Sequence, residues 1–263
     1  MSTGSPDASR TPGRLLWPIV NIVAVIIAIV VVAVMVTWAV AANNRPALSI
    51  EEAGEQVLLT PDDARRLLPQ EPELTPLVAV SRDAAVSTID TFPTWVDLES
   101  LDARCHPIHW LTIPPVADIG SEYWGEGDAT ASVWSRAIVF RSAEAARRAL
   151  ESEVAAYEAC ASHEDRSIGS ATTYTATTTL TRSAGDRLPG YQRAETIEYT
   201  LDGTPISEES RAEVTVLGNT IFRYGVYEPG LLLDEAAEAE VSAALQSRLL
   251  KRAEAVAKAW ADG

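Results

Sequence analysis

The most uneven feature of the hydrophobic pattern is an uncharged run from Leu15 to Ala42, LLWPIVNIVAVIIAIVVVAVMVTWAVAA, interrupted only by Pro18, Asn21 and Thr37. About 20 helical residues cross the roughly 30 Å hydrocarbon core of a bilayer, so the run predicts a transmembrane helix over 15–42. Trp17 and Trp38 are spaced for the two headgroup interfaces, about 31 Å apart at 1.5 Å per residue. Arg10 and Arg14 precede the run, and only Arg45 follows it closely. This bias predicts a cytoplasmic tail over 1–14 and an extracytoplasmic remainder. A cleavable signal peptide is the rival reading, because Ala39-Val40-Ala41 has the form of a cleavage site. The apolar length exceeds the about 7–15 residues of a signal core and favours an uncleaved anchor.

Beyond the run the periods change. Residues 43–57 are polar, lack sustained periodicity and predict a linker, and 58–263 predict one extracytoplasmic domain. Thr60, Pro61, Asp62 and Asp63 are an N-cap, a first-turn proline and two dipole-complementing acids, which predict a helix over 61–68 that Pro69, Pro72 and Pro76 then break. Residues 77–118 carry four more prolines and predict irregular chain with one or two short strands. Val133, Trp134, Ile138, Val139 and Phe140 predict a hairpin between 122 and 140 with its turn at 125–128. Ser142 caps a helix over 143–162, in which Ala146, Leu150, Val154, Tyr157 and Ala161 recur at helical spacing. Strands are predicted at 172–180 and 191–201. The second shares one face between Tyr191, Ile197, Tyr199 and Leu201 and the charged Arg193 and Glu195, so its N-terminal half is expected to be solvated. Asp202-Gly203 and Gly218-Asn219 mark hairpin turns, the latter of type II′. A last helix, from a cap at Asp234 to about Trp260, places Ala237, Val241, Leu245, Leu249, Ala253, Val256 and Trp260 on one stripe. The fold class is therefore α+β: a single N-terminal transmembrane helix followed by an antiparallel β-sheet domain flanked by helices.

Charge narrows the partners. The chain carries −16 at pH 7, and removing the tail leaves the rest at about −17, a field that repels nucleic acid. Lysine is scarce against arginine and alanine, a bias associated with high-GC bacteria such as actinobacteria. The two cysteines, Cys105 and Cys160, both fall on the predicted outer side, where a pair persists as a disulfide.

Candidate chemistry is sparse. His106, His109 and His163 would approach one another if the cysteines are bonded, and three imidazoles could bind zinc or copper. Their spacing matches no metal pattern and no supporting carboxylate is evident, so the expectation is no metal and no cofactor. Phe92, Trp95, Trp110, Tyr123, Trp124 and Trp134 crowd into one stretch; such aromatics either line a ligand cleft or fill the core. No GxSxG, P-loop, HExxH, SxxK or strand-linked GxGxxG motif is present, and the chain is expected not to be an enzyme.

The Leu58-to-Leu68 helix opened by LLTP, the first cysteine at Cys105, the helix start from Phe140 to Arg148, the aromatic-x-x-Cys ending at Tyr157 to Cys160, the strand pair around Asn219 and the terminal amphipathic helix together resemble the extracellular sensor domains of PknH-type mycobacterial serine/threonine kinases and their kinase-less membrane or lipoprotein relatives. The resemblance covers about residues 57–260. It implies an antiparallel sheet flanked by helices around an open cleft that binds an envelope ligand. Family members often carry a second disulfide between two late strands, and no cysteine follows Cys160 here. With 14 residues before the span, no kinase domain is expected. The expected function is a ligand-binding or sensor module at the membrane, its partner an envelope ligand or a membrane protein; the alternatives are an accessory subunit of an envelope complex and an envelope hydrolase or metal-binding protein.

Overall fold

The computed structural model describes residues 16–43, 47–74, 77, 98–105, 113–124, 132–167, 173–183, 188–227 and 235–262. Two units separate, Met1–Ala47 and Leu48–Gly263. In the first, helix α1 spans Leu16–Asn43. Its one described polar side chain, Thr37, turns its hydroxyl back onto the Ala33 and Val34 carbonyls at 2.8 and 2.9 Å. All side chains described in α1, those of 25–38, are exposed around the full circumference. No helix among the described residues is long and apolar enough to cross a membrane.

The second unit is built on strands β1 (Leu98–Ser100), β2 (Ala117–Trp124), β3 (Ser132–Val139), β4 (Ser162–Ser167), β5 (Thr173–Arg182), β6 (Gly190–Leu201), β7 (Thr204–Leu217) and β8 (Thr220–Tyr227). They form one antiparallel sheet in the order β1-β4-β5-β6-β7-β8-β3-β2. Short helices α2 (Ile50–Glu55), α3 (Pro61–Leu67) and α4 (Glu71–Leu74) precede it, α5 (Ala143–Ala159) carries the chain from β3 across to β4, and α6 (Glu235–Asp262) ends it. The hairpin turns predicted at Asp202-Gly203 and Gly218-Asn219 hold, and the one predicted at 125–128 lies outside the described residues. Asp202 and Gly203 are both at positive φ, as a type I′ turn requires, and at the β7–β8 turn Gly218 alone is (φ 57).

Alternation sorts the strands into two cores. On one face Ile138, Tyr191, Val214, Val216 and Ile221 pack beneath Ala146, Leu150, Val154 and Tyr157 of α5. On the other Ala137, Phe222 and Val226 meet Val241, Leu245, Leu249 and Ala253 of α6, together with Leu59, Leu68 and Leu74. The predicted stripes are buried through their middles, Ala146 to Tyr157 and Val241 to Ala253, whereas Ala237 and Val256 are half-buried and Ala161, beyond the helix, and Trp260 are exposed.

Three expectations change. The linker over 43–57 is only half a linker: the compact unit begins at Leu48, and Ser49 and Glu52 form a capping box that starts α2, burying Ala53 and Gly54. Reciprocal capping overrides the absence of a long period in so short a helix. The helix expected over 143–162 stops at Ala159, and Ser162 to Ser167 become β4. That strand has no apolar alternation because its inward positions are His163 and Asp165, both buried. Thirdly, the face of β6 that carries Arg193 and Glu195 is partly covered rather than solvated. The Arg193 guanidinium lies 5.5 Å from the Tyr157 ring centre. It donates to the Tyr157 hydroxyl and, at 3.3 Å, to Ser210 Oγ, with Glu195 at 3.7 Å. A second half-buried arginine, Arg223, holds Glu153 of α5 at 2.6 Å. Buried charges persist where they are paired and hydrogen-bonded.

His163 Nδ1 lies 2.9 Å from the Cys160 carbonyl, and Nε2 faces Asp165 Oδ2 at 3.3 Å. Burial works against the imidazolium; the Asp165 carboxylate and the Cys160 carbonyl, with Glu195 further off, outweigh it and raise the His163 pKa. A folded-state pKa above the unfolded one of about 6.5 adds stability that is complete below about pH 6.5 and is lost as pH rises through the folded value. Denaturation midpoints across pH 5–9 should therefore show wild type gaining on His163→Gln as pH falls; a pH-independent difference would refute the pairing.

Candidate functional site

The sheet face under α6 divides into an apolar half and a polar half. Over β8 and β3 it is apolar and closed. Over β5 to β7 the same parity of strand position brings up Thr179, Thr181, Gln192, Arg211, Glu213 and Thr215, and the flank of α6 opposite them is small or polar, with Ala239, Ser242, Ala243, Gln246 and Ser247. The large apolar side chains on the packed half set the distance from helix to sheet, and the small ones on this flank leave the space between them unfilled. The result is a cavity of about 870 Å³ between α6 and β5–β8, within the range of about 300–1,000 Å³ typical of small-molecule sites.

Its polar groups are tied across the gap from helix to strand. Arg211 Nη2 donates to Glu238 Oε2 at 2.8 Å. Glu213 accepts from the Ser242 hydroxyl and, at 3.1 Å, from Gln246 Nε2, which also reaches Thr215 Oγ1 at 2.6 Å. Tyr224 stands directly across from Glu213 in the β7–β8 ladder. It is 3 % exposed, and its hydroxyl has no hydrogen-bond partner among the described residues; nor has Arg211 Nε. Burial, reinforced by the charge of Glu238 against that of Arg211, raises the Tyr224 pKa, so the phenol stays protonated and available as a donor. A buried hydroxyl without a partner costs about 1–3 kcal/mol, and such exceptions call for an explanation.

The residues singled out from sequence lie elsewhere. Of the six aromatics weighed as cleft or core, Trp134 alone has a described side chain, Phe92 lying outside the described residues: Trp134 is 9 % exposed, packs with Ala212 and lies across Gly225, where a Cβ would come within 2.4 Å of its ring. Tyr123 and Trp124 belong to β2, and the side chains of both, with Trp95 and Trp110, lie outside the described residues. Cys105 and Cys160 are bonded, with Cα atoms 5.8 Å apart. That bond joins the turn after β1 to the end of α5. His106 and His109 lie outside the described residues, and among those described no group of three or more His, Cys, Asp and Glu is placed to hold a metal. Sequence reasoning passed over the groove. Its one signal is a polar stripe at four-residue steps, Glu238, Ser242 and Gln246, beside the apolar stripe Val241, Leu245 and Leu249.

A helix-flanked antiparallel sheet with a polar groove under its terminal helix is thus the class of domain defined by fold and site. The extracellular domain of PknH from Mycobacterium tuberculosis is similar to it in fold, with a TM-score of 0.52 over 74% of this chain and 98% of that chain, at 15% sequence identity. No protein-family model matches the sequence, and no curated protein matches it.

Proposed function

We propose that this chain is a single-pass membrane protein whose extracytoplasmic domain binds a ligand in the groove under α6, as a sensor-type module with no catalytic domain of its own. The observation that carries the reading is the cavity floored by a buried, unpartnered tyrosine hydroxyl: a core position would ordinarily satisfy or omit that group, whereas a binding site leaves it for a ligand. The fold likeness to an extracellular domain supports the placement. A helix that is apolar on every side requires an apolar environment, which supports α1 as the anchor, with the arginines before it on the cytoplasmic side.

Binding and topology are tested together on the full chain. A soluble envelope extract should raise the melting temperature of the detergent-solubilised protein and leave Ala243→Trp, which fills the groove from the exposed flank of α6, unmoved. Equal shifts in both, or none in either, would remove the basis for the reading. Protease added to spheroplasts should digest residues 48–263 and leave a short protected N-terminal fragment; full protection would reverse the orientation.

A further inference from the structure

We infer that the groove, read as a binding site as above, takes a neutral, oxygen-rich ligand of the saccharide or polyol class that presents an acceptor oxygen to the Tyr224 hydroxyl. Both unmet groups, the Tyr224 O–H and the Arg211 Nε–H, are donors, so the ligand must bring acceptors. The acidic oxygens next to them are already engaged, Glu238 by Arg211 and Glu213 by Ser242 and Gln246. A cation would therefore find committed carboxylates and two opposing donors.

An anion fares no better. Arg193, whose backbone borders the groove, turns its guanidinium to the opposite face onto Tyr157 and Ser210, so the charged side chains left at the lining are Arg211 and Lys251 against Glu213, Glu238 and Glu254, an excess of negative charge inside a chain that carries −16 overall. An apolar ligand would strand the hydroxyls and amides of Thr179, Thr181, Gln192 and Ser247 without water, at a desolvation cost for each group. What fits is a molecule that is uncharged, accepts at one end and exchanges hydrogen bonds with hydroxyls and amides along its length. Saccharides and polyols have that pattern. The volume, near the upper end of small-molecule sites, suits an oligomer.

The test uses the full chain in a detergent without a sugar headgroup. Its probes are three neutral trisaccharides (maltotriose, cellotriose and the trimer of N-acetylglucosamine), an anionic trimer of galacturonic acid, a cationic trimer of glucosamine and a neutral blocked tripeptide, followed by calorimetry and ligand-observed saturation transfer. At least one neutral trisaccharide should bind more tightly than either charged trimer and the peptide. Tyr224→Phe should weaken that binding about tenfold, the loss of one hydrogen bond. The same variant, without ligand, should melt no lower than wild type, because it removes a buried group that has no partner to lose. Ala243→Trp should abolish binding. Tighter binding of a charged trimer or of the peptide, failure of every neutral saccharide to bind, undiminished affinity in Tyr224→Phe, or a lowered melting temperature of unliganded Tyr224→Phe would each overturn the inference. If the envelope extract still gives a shift that Ala243→Trp abolishes, the groove remains a binding site and the neutral-ligand assignment alone falls; if that shift is missing too, both fall.

Discussion

Replacing Asn219 by leucine is expected to destabilise the domain by about 3–5 kcal/mol, because three buried main-chain groups lose their partner together. Asn219 follows the glycine of the β7–β8 turn and is 6 % exposed. Its Oδ1 accepts from the Leu59 N–H at 2.8 Å, and its Nδ2 donates to the Leu59 and Phe140 carbonyls at 3.1 and 2.9 Å. Its own backbone repeats the ties, with the Asn219 N–H donating to the Val57 carbonyl at 3.3 Å and the Phe140 N–H to the Asn219 carbonyl at 2.7 Å. One side chain thereby joins the segment entering α3, the start of α5 and the central hairpin. The turn is held as closely: a Cβ on Gly218 would sit 1.6 Å from the Val57 carbonyl oxygen. For a domain of this size the loss corresponds to about 10 °C in melting temperature. Asn219→Asp should also be costly, since it keeps the acceptor and replaces the double donor with a second oxygen facing two carbonyls. Chemical denaturation decides the matter, and a leucine variant within 1 kcal/mol of wild type, on the scale of one ordinary hydrogen bond, would show that the clamp is dispensable.

Reduction of the Cys105–Cys160 bond is the second large effect. The bridge closes a sequence separation of 55, for which lost loop-closure entropy of the unfolded chain is worth about 4 kcal/mol. Against a domain stability of about 5–15 kcal/mol that is a large share. The bond also pins the end of α5 to the turn after β1 beside the buried His163–Asp165 pair, so its loss frees the edge of the sheet where β1 pairs β4. Dithiothreitol should lower the melting temperature of wild type by many degrees and leave a Cys105→Ala/Cys160→Ala double variant, already destabilised, unchanged. Thiol titration of denatured, unreduced protein should find no free cysteine. Two free thiols per chain would refute the bond.

Local signals determined much of this chain. The caps at Thr60 and Ser142, the apolar stripes of α5 and α6 and the turns at Asp202-Gly203 and Gly218-Asn219 are all properties of residues within a few positions of one another. A single sequence states them completely. The cysteine pairing was legible for a simpler reason: two cysteines on one predicted side of a membrane have one partner each. What depended on distant residues was not legible. β4 looks like polar loop because its inward positions are a histidine and an aspartate that satisfy each other, and burial of such a pair is set by what lies across the sheet. Arg193 and Glu195 suggest a solvated strand until Tyr157, arriving on a helix 36 residues earlier, covers them. The groove is the clearest case. Arg211, Glu213 and Tyr224 have the alternation of any half-buried strand, and Glu238, Ser242 and Gln246 that of any helix flank. Only the packing of α6 over β8 and β3, which leaves its small and polar flank above β5 to β7, brings the two sets together around an unpartnered hydroxyl. The distance between a helix and a sheet is fixed by side-chain volumes summed across both cores, and no local pattern encodes that sum.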